Sequence, residues 1–130
     1  KAIGMDHTVL VDPSGRSAEN VSTAQDLFAL SKYLYNIRSF ILRMSAGKDS
    51  SVAYGPSAFY DLQNFNVFAE NPDFIGGKVG VRDIGGYETI LSIFLTDLQD
   101  VKRPIVMIAL NTPDNAKDAE RLLSWTRDTY

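Results

Sequence analysis

Lys78 sits in the run Gly76-Gly77-Lys78-Val79-Gly80, an amine set among glycines on what reads as a strand. A Lys-x-Gly triplet alone is a weak signal, and its plainest reading is a solvated lysine beside a glycine turn. Ser45-Ala46-Gly47-Lys48 spells Ser-x-x-Lys, a spacing used for nucleophilic catalysis when it opens a buried helix. Here it falls in a polar, serine-bearing loop, so coincidence is the expectation. His7, the sole histidine, lies in a pre-turn region where a surface or packing role is expected rather than that of a general base. Asp12, Asp26 and Asp83 occupy turn or helix-start positions, and no paired carboxylates or metal-ligand spacing stand out. With no cysteine, disulfide staples, a thiolate nucleophile and cysteine zinc sites are excluded, and no metal or other cofactor is expected.

The elements that must position these residues follow from pattern. Val9, Leu10 and Val11 read as a short extended stretch, and Asp12-Pro13-Ser14-Gly15 is turn chemistry, proline presetting φ and glycine taking the left-handed conformation. From Ser22 to Tyr35, Ala24, Leu27, Phe28, Leu34 and Tyr35 share one helical face, with Ser22 and Gln25 spaced as a capping box. A second helix is expected over 37–44, where Phe40, Ile41 and Met44 cluster. The polar stretch 45–57 reads as loop, and 59–68 carries no readable element.

Three strands follow. Residues 76–82 form the first, entered by glycines, and Asp83-Ile84-Gly85-Gly86 makes a turn. The second covers 87–95, with Tyr87, Thr89, Leu91, Ile93 and Leu95 on one face and Ile90 and Phe94 on the other, as expected of a central strand. A charged connection over 97–103 leads to the third, Pro104 to Leu110, antiparallel to its neighbour because the link is short. Thr112 as N-cap and Pro113 at the first helical position start a last helix, with Ala116, Ala119, Leu122, Leu123 and Thr126 as the stripe facing the sheet and Trp125 as a packing residue. The fold class is α+β, an antiparallel sheet flanked by helices.

Composition sets the outer bounds. At 130 residues, 45% hydrophobic and 11% aromatic, the chain can bury a core. A net charge of −3 with scattered basic residues gives no electrostatic footprint for nucleic acid or an anionic membrane. No apolar run reaches the ~18 residues of a membrane span, and no signal-peptide pattern is present. The chain opens on Lys1 without an initiator methionine, as expected of an engineered truncation, a mature terminus or a cleavage product.

Several of these segments together resemble one family. Gly76-Gly77-Lys78-Val79-Gly80 resembles the Lys-Thr-Gly strand of the penicillin-binding-protein and serine β-lactamase superfamily. Asp83, Gly86 and Tyr87 stand in the register that follows this triplet in the low-molecular-weight D-alanyl-D-alanine carboxypeptidases, the serine peptidase family S11. Asn64-Phe65-Asn66 is similar to the Asn-Thr-Asn segment before that strand. Gly4-Met5, Val11-Asp12-Pro13-Ser14-Gly15 and Ser22-Thr23-Ala24-Gln25-Asp26-Leu27 match further family segments in order.

The resemblance implies a β-lactamase/transpeptidase-like fold, of which residues 1–130 would be the C-terminal portion of the catalytic domain. It implies acyl transfer on peptidoglycan stem peptides by a serine in Ser-x-x-Lys, assisted by a Ser-x-Asn motif, with β-lactams as alternative ligands. Both motifs lie upstream of the family's Gly-Met segment, and Ser-x-Asn does not occur in this chain, so the chain alone is expected to be inactive. Lys78 would be catalytic and, with Val79, Gly80 and Val81, substrate-binding: the strand takes the substrate as an added antiparallel strand, the Lys78 ammonium favours its carboxylate and the proton transfers, Gly80 admits close approach, and the Val81 N–H serves the oxyanion hole. Val79 stands where the family has threonine or serine, so the hydrogen bond to a terminal carboxylate is lost.

The leading expectation is an extracytoplasmic D-alanyl-D-alanine carboxypeptidase-like protein. The alternatives are a non-catalytic module binding peptidoglycan or a protein partner, and a β-lactamase-like hydrolase. The missing N-terminal part of the domain, or self-association, is expected to cover an open sheet edge or apolar face.

Overall fold

The computed structural model describes residues 2–15, 17–47, 64–81 and 88–130. The expected turn at 83–86, with Asp83, Gly86 and Tyr87, and also Lys48 lie outside the described residues. Within them the order is α1 (Ala24–Ile37), α2 (Ser39–Ser45), β1 (Phe74–Val81), β2 (Glu88–Leu98), β3 (Val101–Thr112) and α3 (Asn115–Thr129), and the three strands form one antiparallel sheet in the order β1-β2-β3. This is the α+β class expected from the sequence.

The period-2 pattern of β2 makes it central, with helices on both sides. Ile90 and Phe94 face α3 in a core with Phe68, Phe74, Met107, Ala119 and Leu123. Phe94 holds the middle of that core, edge-to-face against Phe68 at 5.0 Å and Phe74 at 5.9 Å. Leu91 and Ile93 face the other way, onto Leu42 of α2, with Leu27, Leu34 and Tyr35 of α1 packed around them.

Helix starts differ from expectation by one or two residues, for a local reason in each case. Thr23, not Ser22, caps α1: its side chain accepts the Asp26 N–H at 3.1 Å, while the Ser22 hydroxyl is hydrogen-bonded with that of Thr8. Asp114, not Thr112, caps α3 by accepting from Lys117 N, and that N–H is the main reason its carboxyl titrates low. Thr112 belongs to β3 and its hydroxyl donates to Asp118.

The buried faces also differ. In α1 the fully buried positions are Asp26 and Ser31, and Phe28 is exposed; in α2, Leu42 is the buried residue, and Phe40, Ile41 and Met44 point to solvent. Arg38 separates the two helices. Trp125 is 57% exposed and packs edge-to-face on Tyr130. Where a charged connection was expected over 97–103, the strands run on to a two-residue turn, Gln99-Asp100, with φ of 51° and 60°. Positive φ at both positions is the type I′ pattern that matches strand twist, which is why the hairpin stays so tight.

Carboxylates anchor the segment before α1. Asp12 accepts from the hydroxyl and N–H of Ser14, from Gly15 N, Ser17 N and Asn20 Nδ2, which hold its carboxyl far below the usual range, the Ser14 hydroxyl contributing most. The turn expected at 12–15 is thus present, with Gly15 at φ 79°. Buried Asp26 accepts from the Thr8 hydroxyl at 2.7 Å and His7 N at 2.8 Å, and Thr8 above all lowers its pKa against the opposing effect of burial. His7 itself is a surface residue beside α1. No helix among the described residues is long and apolar enough to cross a membrane.

Candidate active site

The site is assembled around β1, beginning with its glycines. A Cβ on Gly76 would lie 2.4 Å from the Leu42 carbonyl oxygen, and one on Gly77 would lie 2.3 Å from that of Leu91. Gly76, at φ +150°, therefore lets α2 lie directly on β1, and Gly77 lets the Asn66 loop close on the other face. Among the described residues nothing lies within 4 Å of a Cβ built on Gly80. The described residues demand glycine at 76 and 77 and place no such demand on 80.

β1 is an edge strand among the described residues. Its register with β2 is unbroken from Gly76↔Ile93 to Val81↔Glu88. The Gly77 N–H donates to the Ser45 hydroxyl at 3.0 Å and so points away from β2. By the antiparallel alternation, the main-chain groups of Gly77, Val79 and Val81 then face the open edge, and those of Lys78 and Gly80 face β2.

A groove of ≈ 350 Å³ follows this edge, lined by Met44, Ser45, Asn64, Asn66, Lys78 and Val79 among others. Lys78 is exposed, with no ion-pair partner among the described residues, and its Nζ donates to the Val79 carbonyl on the same edge. Val79 is half-buried, one side in the groove and the other packed on the core that holds Phe68 and Phe94. Val81 ends the strand. The structure thus brings Lys78, Val79 and Gly80 to one open edge, with Val81 N beside them.

The groove walls are held by hydrogen bonds. Asn64 Nδ2 donates to the Ser45 carbonyl at 2.9 Å, and its Oδ1 accepts from Asn66 N at 3.0 Å. Buried Asn66 donates to Ser92 Oγ of β2 at 3.0 Å and accepts from Phe68 N. Every buried side-chain nitrogen and oxygen among the described residues has a partner. Phe65 stands 79% exposed at the rim.

Ser45 was expected in a loop; it is the last residue of α2, and its hydroxyl donates to the Leu42 carbonyl while accepting from Gly77 N. Its proton is committed to the backbone, which suits a pin rather than a nucleophile. Sequence reasoning missed this tie, because a serine at a helix end carries no mark of a partner 32 residues away. His7 plays no part in the groove, and no three His, Asp or Glu side chains among the described residues gather to hold a metal ion.

Neither a family model nor a solved structure matches the sequence. A curated protein does: the D-alanyl-D-alanine endopeptidase of Escherichia coli (strain K12) is 27% identical over 133 residues, covering 96% of this chain. The chain is a distant relative of a peptidase. It spans 40% of that relative's length.

Proposed function

We propose that the chain is the C-terminal portion of the catalytic domain of a serine-type D-Ala-D-Ala peptidase acting on peptidoglycan stem peptides outside the cytoplasm. In this reading β1 is the substrate-binding strand, and the serine that attacks the peptide belongs to a part of the domain absent from this chain. The observation that carries it is the open edge of β1: a Lys78 ammonium with no ion-pair partner among the described residues, outward main-chain groups at Val79 and Val81, and space over Gly80 that no described residue fills. Such an edge can accept an extended peptide as a further strand, main-chain bonds giving affinity and the ammonium selecting a negative group. The likeness to an endopeptidase over nearly the whole chain supports the same chemistry.

The test is hydrolysis of a D-Ala-D-Ala peptide by the full-length protein. Losing a hydrogen bond to a charged group costs about 1.5–3 kcal/mol, so Lys78→Ala is expected to lower kcat/KM by about ten- to a hundredfold. An unchanged kcat/KM would contradict the role given to Lys78.

A second reading concerns the peptide cleaved. Val79 cannot donate to a terminal carboxylate and spends part of its side chain on the core, which favours an endopeptidase over the carboxypeptidase expected from sequence. Val79→Thr in the full-length protein is then expected to raise cleavage of peptides with a free terminal carboxylate relative to their amides by about tenfold. A ratio that does not move removes this position from carboxylate selection. The edge of β3 that no described strand covers, with Leu110, Leu122 and Trp125 exposed along a groove of ≈ 500 Å³, is where the remainder of the domain or a second copy would bind.

A further inference from the structure

The open edge of β1 does not run its full length. At Gly76 the backbone of α2 lies so close that no side chain would fit, and from there the Ser45 hydroxyl reaches round to take the Gly77 N–H. Of the outward positions, Gly77 is therefore already paired, while Val79 and Val81 have no main-chain partner on the open side among the described residues. The Lys78 ammonium resting on the Val79 carbonyl is the head of an exposed, flexible side chain and can swing away.

We propose that the C-terminal end of α2 is a register stop for a peptide bound on β1, with Ser45 as its positioning residue. This rests on the peptidase reading above, in which the carbonyl of the scissile bond accepts from Val81 N. An antiparallel peptide then runs from Val81 towards Gly77 on its leaving-group side. With two residues per outward position, the second residue after the scissile bond faces Val79 and the fourth faces Gly77. Ser45 occupies the donor that the fourth residue would need. The strand thus pairs with a short leaving segment, and a longer one must leave the edge past Val79. Specificity for leaving-group length is set on α2, outside β1 itself.

Two measurements test this. In amide hydrogen exchange of the chain, Gly77 is expected to exchange slowly and Val79 and Val81 fast, with Ser45→Ala accelerating Gly77 selectively; a Gly77 amide as fast as that of Val79 overturns the stop. In the full-length protein, peptides with one to five residues after the scissile bond are compared by kcat/KM. The wild type is expected to gain nothing from the fourth and fifth residues. Ser45→Ala is expected to raise the ratio of the five-residue to the one-residue leaving group by about three- to tenfold, the worth of one recovered hydrogen bond. Ser45→Thr, which keeps the hydroxyl, is expected to restore the wild-type ratio. General loosening of the fold would lower both values and leave the ratio alone. A ratio within about twofold of wild type in Ser45→Ala overturns the stop, whereas a full-length protein that cleaves none of the peptides overturns the peptidase reading itself.

Discussion

Replacing Gly80 with alanine adds a methyl group where the described chain has nothing within 4 Å, at an ordinary strand φ. The substitution is expected to leave stability unchanged or improve it by about 0.4–1 kcal/mol, by restricting the unfolded chain. In the full-length protein the same methyl would stand between β1 and an arriving peptide, so acylation by substrate is expected to fall on the order of tenfold. Gly77→Ala should do the reverse kind of damage, since its Cβ meets the Leu91 carbonyl at 2.3 Å and overpacking costs about 1–3 kcal/mol in the fold. Urea unfolding and single-turnover acylation separate the two; equal losses of stability in both variants would contradict the division of roles. The sequence showed three glycines flanking a lysine, and the resemblance singled out the third. Why the first two are needed was invisible, because Leu42 and Leu91 meet them only through the tertiary fold.

Among the elements, β2 and its neighbours were legible because alternation over its length ties each face to a core, and the ends were legible only to within a few residues. Thr112 looked like a cap because threonine before proline usually is one, yet its hydroxyl serves Asp118 and Asp114 takes the role. α2 was misread because Phe40, Ile41 and Met44 are more apolar than they are buried; which face packs was decided by Leu42 seated on the sheet. The start of α1 carries an acid-sensitive prediction. Asp26 titrates below its ordinary 3.8, so its stabilising contribution is complete above that value and is lost as pH falls through the lower folded pKa. Asp26→Asn is therefore expected to reduce stability near neutral pH and flatten the acid limb, with faster exchange of the His7 amide. An acid-unfolding profile unchanged by the substitution would show that the carboxylate does not hold the 6–8 segment to α1.

At the scale of the molecule, the described chain is a three-stranded sheet with two open edges, one bearing Lys78 and the other flanked by exposed Leu110, Leu122 and Trp125. On the proposed reading the first edge meets substrate and the second meets the rest of the catalytic domain, so one sheet joins the binding strand to the part that carries the nucleophile. On that division β1 is shaped independently of the nucleophile: α2, the Asn64–Asn66 loop and β2 all brace it from within the described residues. The most direct test is covalent labelling by a fluorescent penicillin, applied side by side to this chain, to the full-length protein and to full-length Lys78→Ala. The account predicts no label on the chain, a label on the full-length protein, and labelling slowed by about tenfold or more in the variant. A label on the chain alone, or a full-length protein that takes none, would contradict it.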